Sequence, residues 1–396
     1  MAETQVPRSL ALLINTGHAI DHMFLLVFAT AVSAIAADFG FSRWEDLMPW
    51  GAGAALMFGL GSIPAGRLGD LWGRRAMMLV FFFGMGFSMF LVAATQNVWQ
   101  LAGALTLLGV FSSIYHPVGI PMLVRNAANP GATIGFNGLV GNLGIAASAL
   151  VTGLLIKYAN WHMAFLLPGL ISIAAGIAFA IVAPAETSAP GRKTAGQAGL
   201  SQETLKRVLP IMTMTAISGS VIFNFTTSGN QQLLIERFAG VLEDPAVLGA
   251  MLAIVYVVAS LSQVVVGRLI DKHPIKRIFF IVILAQVPFL LLAALAQNWA
   301  FLLMLTGFMV FVFGAVPFND AMLVRYVDDH LRSRVAGVRL AVSFGFSSLA
   351  VWSLGPVVKA AGFQTLLLCM AGLAAITLIA VSQLPDKPPL KTAVPA

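Results

Sequence analysis

Long apolar runs, broken by short polar stretches, recur from one end of the chain to the other. Each run approaches the ~20 residues an α-helix needs to cross the hydrocarbon core of a bilayer. Read this way, spans fall at roughly 9–37, 47–68, 76–95, 98–124, 132–157 and 161–183, then at 206–236, 246–269, 277–296, 299–325, 335–358 and 362–383. Between the two sets lies a polar connector, 184–205, carrying Pro190, Gly191, Gly196 and Gly199 among Ser, Thr and Gln. It reads as a flexible or partly helical linker. The predicted fold is an all-α membrane protein of twelve transmembrane helices. They form two pseudo-symmetric six-helix bundles, 1–183 and 206–396.

The two sets repeat one another. Gly66-Arg67-Leu68-Gly69-Asp70, followed by Arg74-Arg75, returns as Gly267-Arg268-Leu269-Ile270-Asp271, followed by Lys276-Arg277. Gln96-Asn97 returns as Gln297-Asn298, and Pro117 with Met122-Leu123-Val124-Arg125 returns as Pro317 with Met322-Leu323-Val324-Arg325. These last matches stand 201 and 200 residues apart. A membrane chain built of two parallel halves is the sequence signature of a transporter that works by alternating access.

Composition agrees. The chain is 59% hydrophobic and 10% charged, where soluble domains carry about 25% charged residues. No polar stretch is long enough for a soluble domain. The one cysteine, Cys369, lies in an apolar run, so neither a disulfide framework nor a thiolate metal cluster is expected. The first ten residues lack a basic region followed by a cleavage site, so the first span is expected to be retained. The net charge of +7 is a matter of topology. With both termini and the connector on one side, that side holds eighteen of the 23 Lys and Arg. The other holds only Arg43, Lys157, Arg237 and Lys359, and Arg339 lies within a span. The positive-inside bias then places both termini in the cytoplasm. The expectation is a monomer in a bacterial inner membrane, with lipid and a small solute as partners and no nucleic acid.

The run Gly66-Arg67-Leu68-Gly69-Asp70-Leu71-Trp72-Gly73-Arg74-Arg75, with the duplicated halves, resembles the major facilitator superfamily. Gly66, Leu68, Asp70, Gly73, Arg74 and Arg75 fit that family's pattern, and the second copy keeps Asp271 but lacks the second glycine. The resemblance implies a conformational lock at Gly66, Asp70, Gly73, Arg74, Arg75 and Asp271. Ile114-Tyr115-His116-Pro117, Gly141-Asn142-Leu143-Gly144 and His18 resemble the fosmidomycin-resistance-like branch. Here the acid, Asp21, falls one residue early, His22 takes its usual place, and Val118 stands where the branch tends to have Glu.

Polar groups inside a bilayer are costly and usually face a cavity. His18, Asp21 and His22 share one face of span 1. A carboxylate flanked by imidazoles can hold and release a proton near neutral pH, so Asp21, with His18, His22 and His116, forms the candidate proton-coupling set. The same residues suit a divalent metal, with His116 as a fourth ligand if its helix faces span 1; a packed polar cluster is the plainer alternative. Pro117 should break the helix at His116 and free carbonyls to line a cavity. Candidate solute contacts are Asn15, Tyr115, Asn137 and Asn142 in the first half. In the second they are Asn224, Asn230, Gln231, Asn319, Asp320 and Arg339. The polar run 224–232 is expected to divide its span at Gly229. Asp320 and Arg339 either pair or leave the guanidinium for an anion. No phosphate-binding loop and no nucleophile elbow is present, which argues against an ATPase or a hydrolase. No cofactor is called for beyond a proton gradient. Proton-driven export is the leading reading, with symport of an organic anion or carriage of a divalent metal or its chelate as alternatives.

Overall fold

The computed structural model describes residues 6–124, 127, 129–184, 202–327 and 329–385. Arg125 and positions 185–201 of the connector lie outside them. The elements among the described residues are all helical. In order they are α1 Arg8–Asp38, α2 Ala52–Trp72, α3 Arg74–Ala93, α4 Val98–Ser112, α5 Ile120–Leu123, α6 Pro130–Tyr158 and α7 Trp161–Val182. After the connector come α8 Gln202–Phe238, α9 Pro245–Lys272, α10 Ile275–Leu295, α11 Asn298–Tyr326 and α12 Asp329–Ser382. Ten described helices are long and apolar enough to cross a membrane. The long α12 is interrupted at Gly362, whose φ of 73° is not helical.

The helix ends follow from local chemistry. Asn97 accepts from the backbone N–H of Trp99 and Gln100 and so starts α4; Asn160 accepts from Met163 and starts α7. Gly73, with φ of 90°, makes the sharp turn from α2 to α3. The arginines behind it brace helix ends. Arg75 donates to the carbonyls of Ala180 and Ala183 at the end of α7 (2.8 and 2.9 Å), and Arg74 donates to that of Pro121 (3.0 Å). Asp70 and Asp271 are exposed.

One sequence expectation changes and another is met in part. The span carrying 224–232 does not divide at Gly229; α8 runs unbroken through it. Neighbouring apolar turns, with Leu233 and Leu234 buried, hold a glycine whose own helix cost is only about 1 kcal/mol. At Pro117 the regular α-helix is interrupted, as expected, but the chain keeps its path. It widens into a π-turn, Tyr115–Gly119, which accommodates the missing N–H without leaving the helix path.

The described chain divides into two compact units. One gathers Met1–Pro190, Asn224–Val257 and Ser347–Gly362; the other gathers Gly191–Phe223, Val258–Phe346 and Phe363–Ala396. In the first, α1 lies against α6 and α7, α3 against α7, and α2 against α4. Helices α1 and α6 approach closely because a Cβ on Gly144 would strike the Ala19 carbonyl and one on Gly141 would strike the His18 ring. In the second, α10 packs on α11, with Phe279 stacked on Phe318 at 4.3 Å.

One end of the first unit joins the two sequence halves. Lys157 pairs with Asp244, and Lys359 pairs with Asp46 at 2.5 Å. Arg43 pairs with Glu45 at 2.5 Å and Arg237 with Glu236 at 3.9 Å. These four cations are the very ones that charge counting placed on the sparse side. Side chains at Gly153 and Gly249 would strike the carbonyls of Pro245 and Ala149, so α6 and α9 touch through backbone. Asp244 also accepts from the N–H of Ala246 and Val247 at the start of α9. The Lys157 ammonium hydrogen-bonded to it holds its carboxyl below the usual carboxylate range.

Candidate functional site

Asp21 is fully buried in α1. Its Oδ1 accepts from the hydroxyl of Ser112 at the end of α4. Its Oδ2 has no hydrogen-bond partner and faces His116 Nε2 at 3.6 Å. The π-turn delivers both His116 and Tyr115 to α1. Tyr115 stacks on His18, ring centroids 4.7 Å apart.

Behind this pair runs a chain of hydrogen bonds that fixes the rings. His18 Nδ1 meets the Asn137 carbonyl at 2.7 Å, so that nitrogen carries the proton and donates. His18 Nε2 is then the acceptor, and His22 Nε2 donates to it at 3.0 Å. The Asn137 amide donates to Tyr115 Oη (2.8 Å) and to Asn15 Oδ1 (3.0 Å), and Tyr115 donates to the Ile14 carbonyl (2.9 Å). Seven residues picked out of the sequence, Asn15, His18, Asp21, His22, Tyr115, His116 and Asn137, thus form one network. Asn142 is buried nearby on α6, with its amide nitrogen lacking a partner. Burial in such a network is costly unless each group is satisfied. His116 keeps about a third of its side chain exposed (36%), which gives the cluster an open side. One ring nitrogen from each of His18, His22 and His116 lies within 4.8 Å of the others, a set that could hold a metal ion.

Elsewhere in the first unit, α8 presents Asn224 to Ser347 (2.9 Å) and Asn230 to Tyr256 (3.4 Å), while Gln231 Oε1 is buried and unpartnered. Ser33 of α1 donates to Gln232 at 2.6 Å. In the second unit, Arg339 and Asp320 pair at 2.6 Å. Asn319 lines a small cavity of about 40 Å³ with Thr215, Ser218, Gln286 and Thr377. The three hydroxyls donate back to carbonyls of their own helices, so they offer acceptors to the cavity, whose lining is uncharged.

Sequence reasoning missed Ser112, Tyr256 and Gln286. Ser112 stands four residues before His116 in an apolar span, a spacing that flags a shared helix face. Gln286 is the lone amide of its span, a signal of the same kind.

Comparison with known proteins agrees with this architecture. The chain is 25% identical over 222 residues, 54% of its length and 53% of the other's, to the "uncharacterized MFS-type transporter YybF" of Bacillus subtilis (strain 168). It is 29% identical over 136 residues to the puromycin resistance protein pur8 of Streptomyces alboniger, covering 33% of this chain and 27% of that one. The chain thus spans about half and about a quarter of these relatives. Among solved structures it is similar in fold to a D-xylose-proton symporter (TM-score 0.77, 14% identity, 96% of this chain and 98% of that one). It is also similar to a bacterial homologue of the human lysosomal transporter Spinster in an inward-facing, occupied conformation (TM-score 0.70, 14% identity, 94% and 93%). The sequence profile of the Major Facilitator Superfamily matches residues 14–236 and 217–396, nearly the entire chain. With its apolar helices and doubled sequence, the protein belongs to the major facilitator superfamily, a family of transporters, and is a multi-pass membrane protein.

Proposed function

We propose that the protein is a monomeric proton-coupled exporter of a small organic solute, working by alternating access in a bacterial inner membrane. In this reading twelve spans form two bundles, 1–183 and 206–396, with both termini cytoplasmic. Asp21 is the coupling carboxyl, with His18, His22 and His116 around it. The observation that carries the reading is Asp21 itself: a carboxyl wholly buried in a membrane helix, with one oxygen hydrogen-bonded and the other unpartnered beside an imidazole. Such a group is costly and finds its use in ion movement. The drug-resistance relative and the branch resemblance at Tyr115-His116-Pro117 support export. Solute contacts come from Asn142, Asn224, Asn230, Gln231 and the Asn319 cavity. The run from Gly66 to Arg75, with its exposed Asp70, and Asp271 serve gating.

A second reading, proton-driven uptake of an organic anion, draws on Arg339, whose Nε is buried without a partner. Both are tested by flux into proteoliposomes, with solutes first selected by thermal-shift screening at two pH values. Asp21→Asn should abolish flux driven by a pH gradient and leave substrate counterflow partly intact. Loss of both, with the protein folded, would mark Asp21 as structural. The sign of the gradient that drives accumulation separates export from uptake.

A further inference from the structure

Three imidazoles from two elements converge in the first half. His18 and His22 stand four residues apart on one face of α1, the spacing by which helices commonly present two metal-binding histidines. Their Nε2 atoms are 3.0 Å apart. His116 joins them from the π-turn, with one ring nitrogen of each within 4.8 Å of the others. Tetrahedral zinc, with bonds of about 2.0–2.1 Å, sets its nitrogens about 3.3–3.4 Å apart. The α1 pair is therefore already near ligand spacing, and His116 stands close enough to join it by a modest side-chain movement.

Two further features point to a cation. His18 is oriented from behind by its Nδ1–H bond to the Asn137 carbonyl (2.7 Å), the outer support that metal-bound histidines almost always carry. That bond commits Nε2 to the lone pair. In the metal-free network the His22 Nε2 proton occupies the space between the two rings. A cation takes that place when His22 carries its proton on Nδ1 instead. Asp21 Oδ2, buried and without a hydrogen-bond partner, supplies negative charge 3.6 Å from His116 Nε2. It can serve as a fourth ligand or as the group that orients His116.

We infer that His18, His22 and His116 form a binding site for a divalent transition-metal ion of the zinc, cobalt or nickel type. Imidazole suits these ions, whereas magnesium and calcium prefer oxygen. The part-exposed His116 is the way in. A bound ion ties α1 to the π-turn and so arrests any motion that separates them. The site shares its residues with the proposed coupling set but does not rest on that reading: metal binding is measured without flux, so either can fail while the other holds.

The test uses the full chain, purified without a polyhistidine tag, and titration calorimetry with zinc in the presence of excess magnesium. One zinc per chain is expected. His22→Gln and His116→Gln should each weaken it at least tenfold, while His273→Gln, outside the cluster, should not. On the unmodified protein, zinc should shield the part-exposed His116 from diethyl pyrocarbonate, read by mass spectrometry, and leave His162 and His273 reactive. Zinc affinity that survives both cluster substitutions, or reactivity of His116 unchanged by zinc, overturns the site.

Discussion

Substituting one glycine tests whether the α1–α6 contact positions the cluster. A Cβ added at Gly141 would lie 2.6 Å from His18 Cε1, 2.7 Å from Nε2 and 2.8 Å from Nδ1. Carbon contacts settle at about 3.5–4.0 Å, so the ring must retreat by about 1 Å. His18 is only 4% exposed, stacked on Tyr115 and bonded to the Asn137 carbonyl at 2.7 Å. A retreat of about 1 Å stretches that bond beyond any useful length. Overpacking costs about 1–3 kcal/mol, and the lost hydrogen bond about 0.5–1.5 kcal/mol. Gly→Ala in a helix returns roughly 0.5–1 kcal/mol, which blurs a single measurement. Gly135 provides the reference: it lies on the same helix, and a Cβ there meets nothing within 4 Å. Comparing Gly141→Ala with Gly135→Ala cancels the helix term and leaves about 2–4 kcal/mol. At roughly 2 °C per kcal/mol for larger chains, their melting temperatures in detergent should differ by about 4–8 °C. Flux should fall in Gly141→Ala and persist in Gly135→Ala. Equal melting of the two variants, with equal flux, would refute the claim that this glycine makes room for His18.

Two more outcomes are expected at the end where the halves meet. Lys157→Asp with Asp244→Lys should restore the closed end that either single change loosens, read by amide hydrogen exchange at the start of α9, where Asp244 accepts from Ala246 and Val247. A single change matters little to global stability, because solvent screens an exposed pair. The acid response has a definite sign. The Asp244 carboxyl is held below its usual range by Lys157, so its contribution is present above the unfolded carboxylate pKa. It is lost as pH falls through the lower folded value. The protection of these amides, corrected for intrinsic exchange, should therefore hold steady through neutral pH and drop only in acid; a loss near pH 7 would assign the seal to another group.

Much of the first-half site was legible because α-helical spacing is a local rule. His18, Asp21 and His22 had to share a face of α1, and an aromatic-His-Pro run in a span had to distort its helix. The facing of α1 and the π-turn was open in the sequence, since it depends on Gly141 and Gly144 bringing α6 against α1. The contact of Lys157 with Asp244 was not legible at all. Its members lie 87 positions apart, and no periodicity links them. Charge counting nonetheless put Arg43, Lys157, Arg237 and Lys359 on one side, where the structure gives each an acid. The division expected at Gly229 failed because local propensity is weak against the packing of a long apolar helix.

The π-turn accounts for a small irregularity in the duplication. Between Asn97 and Pro117 there are 20 steps along the chain, and between their counterparts Asn298 and Pro317 there are 19. The extra residue has been absorbed as one wide turn in the first copy, while α11 runs through the same stretch as unbroken α-helix. One residue is worth about 100° of rotation around a helix axis. The wide turn takes up that rotation locally, and from within it a tyrosine stacks on His18 and a histidine faces Asp21 of α1. At the same offset the second copy has Ala315 and Val316 before Pro317, so the halves differ here both in the turn and in the side chains that the turn presents.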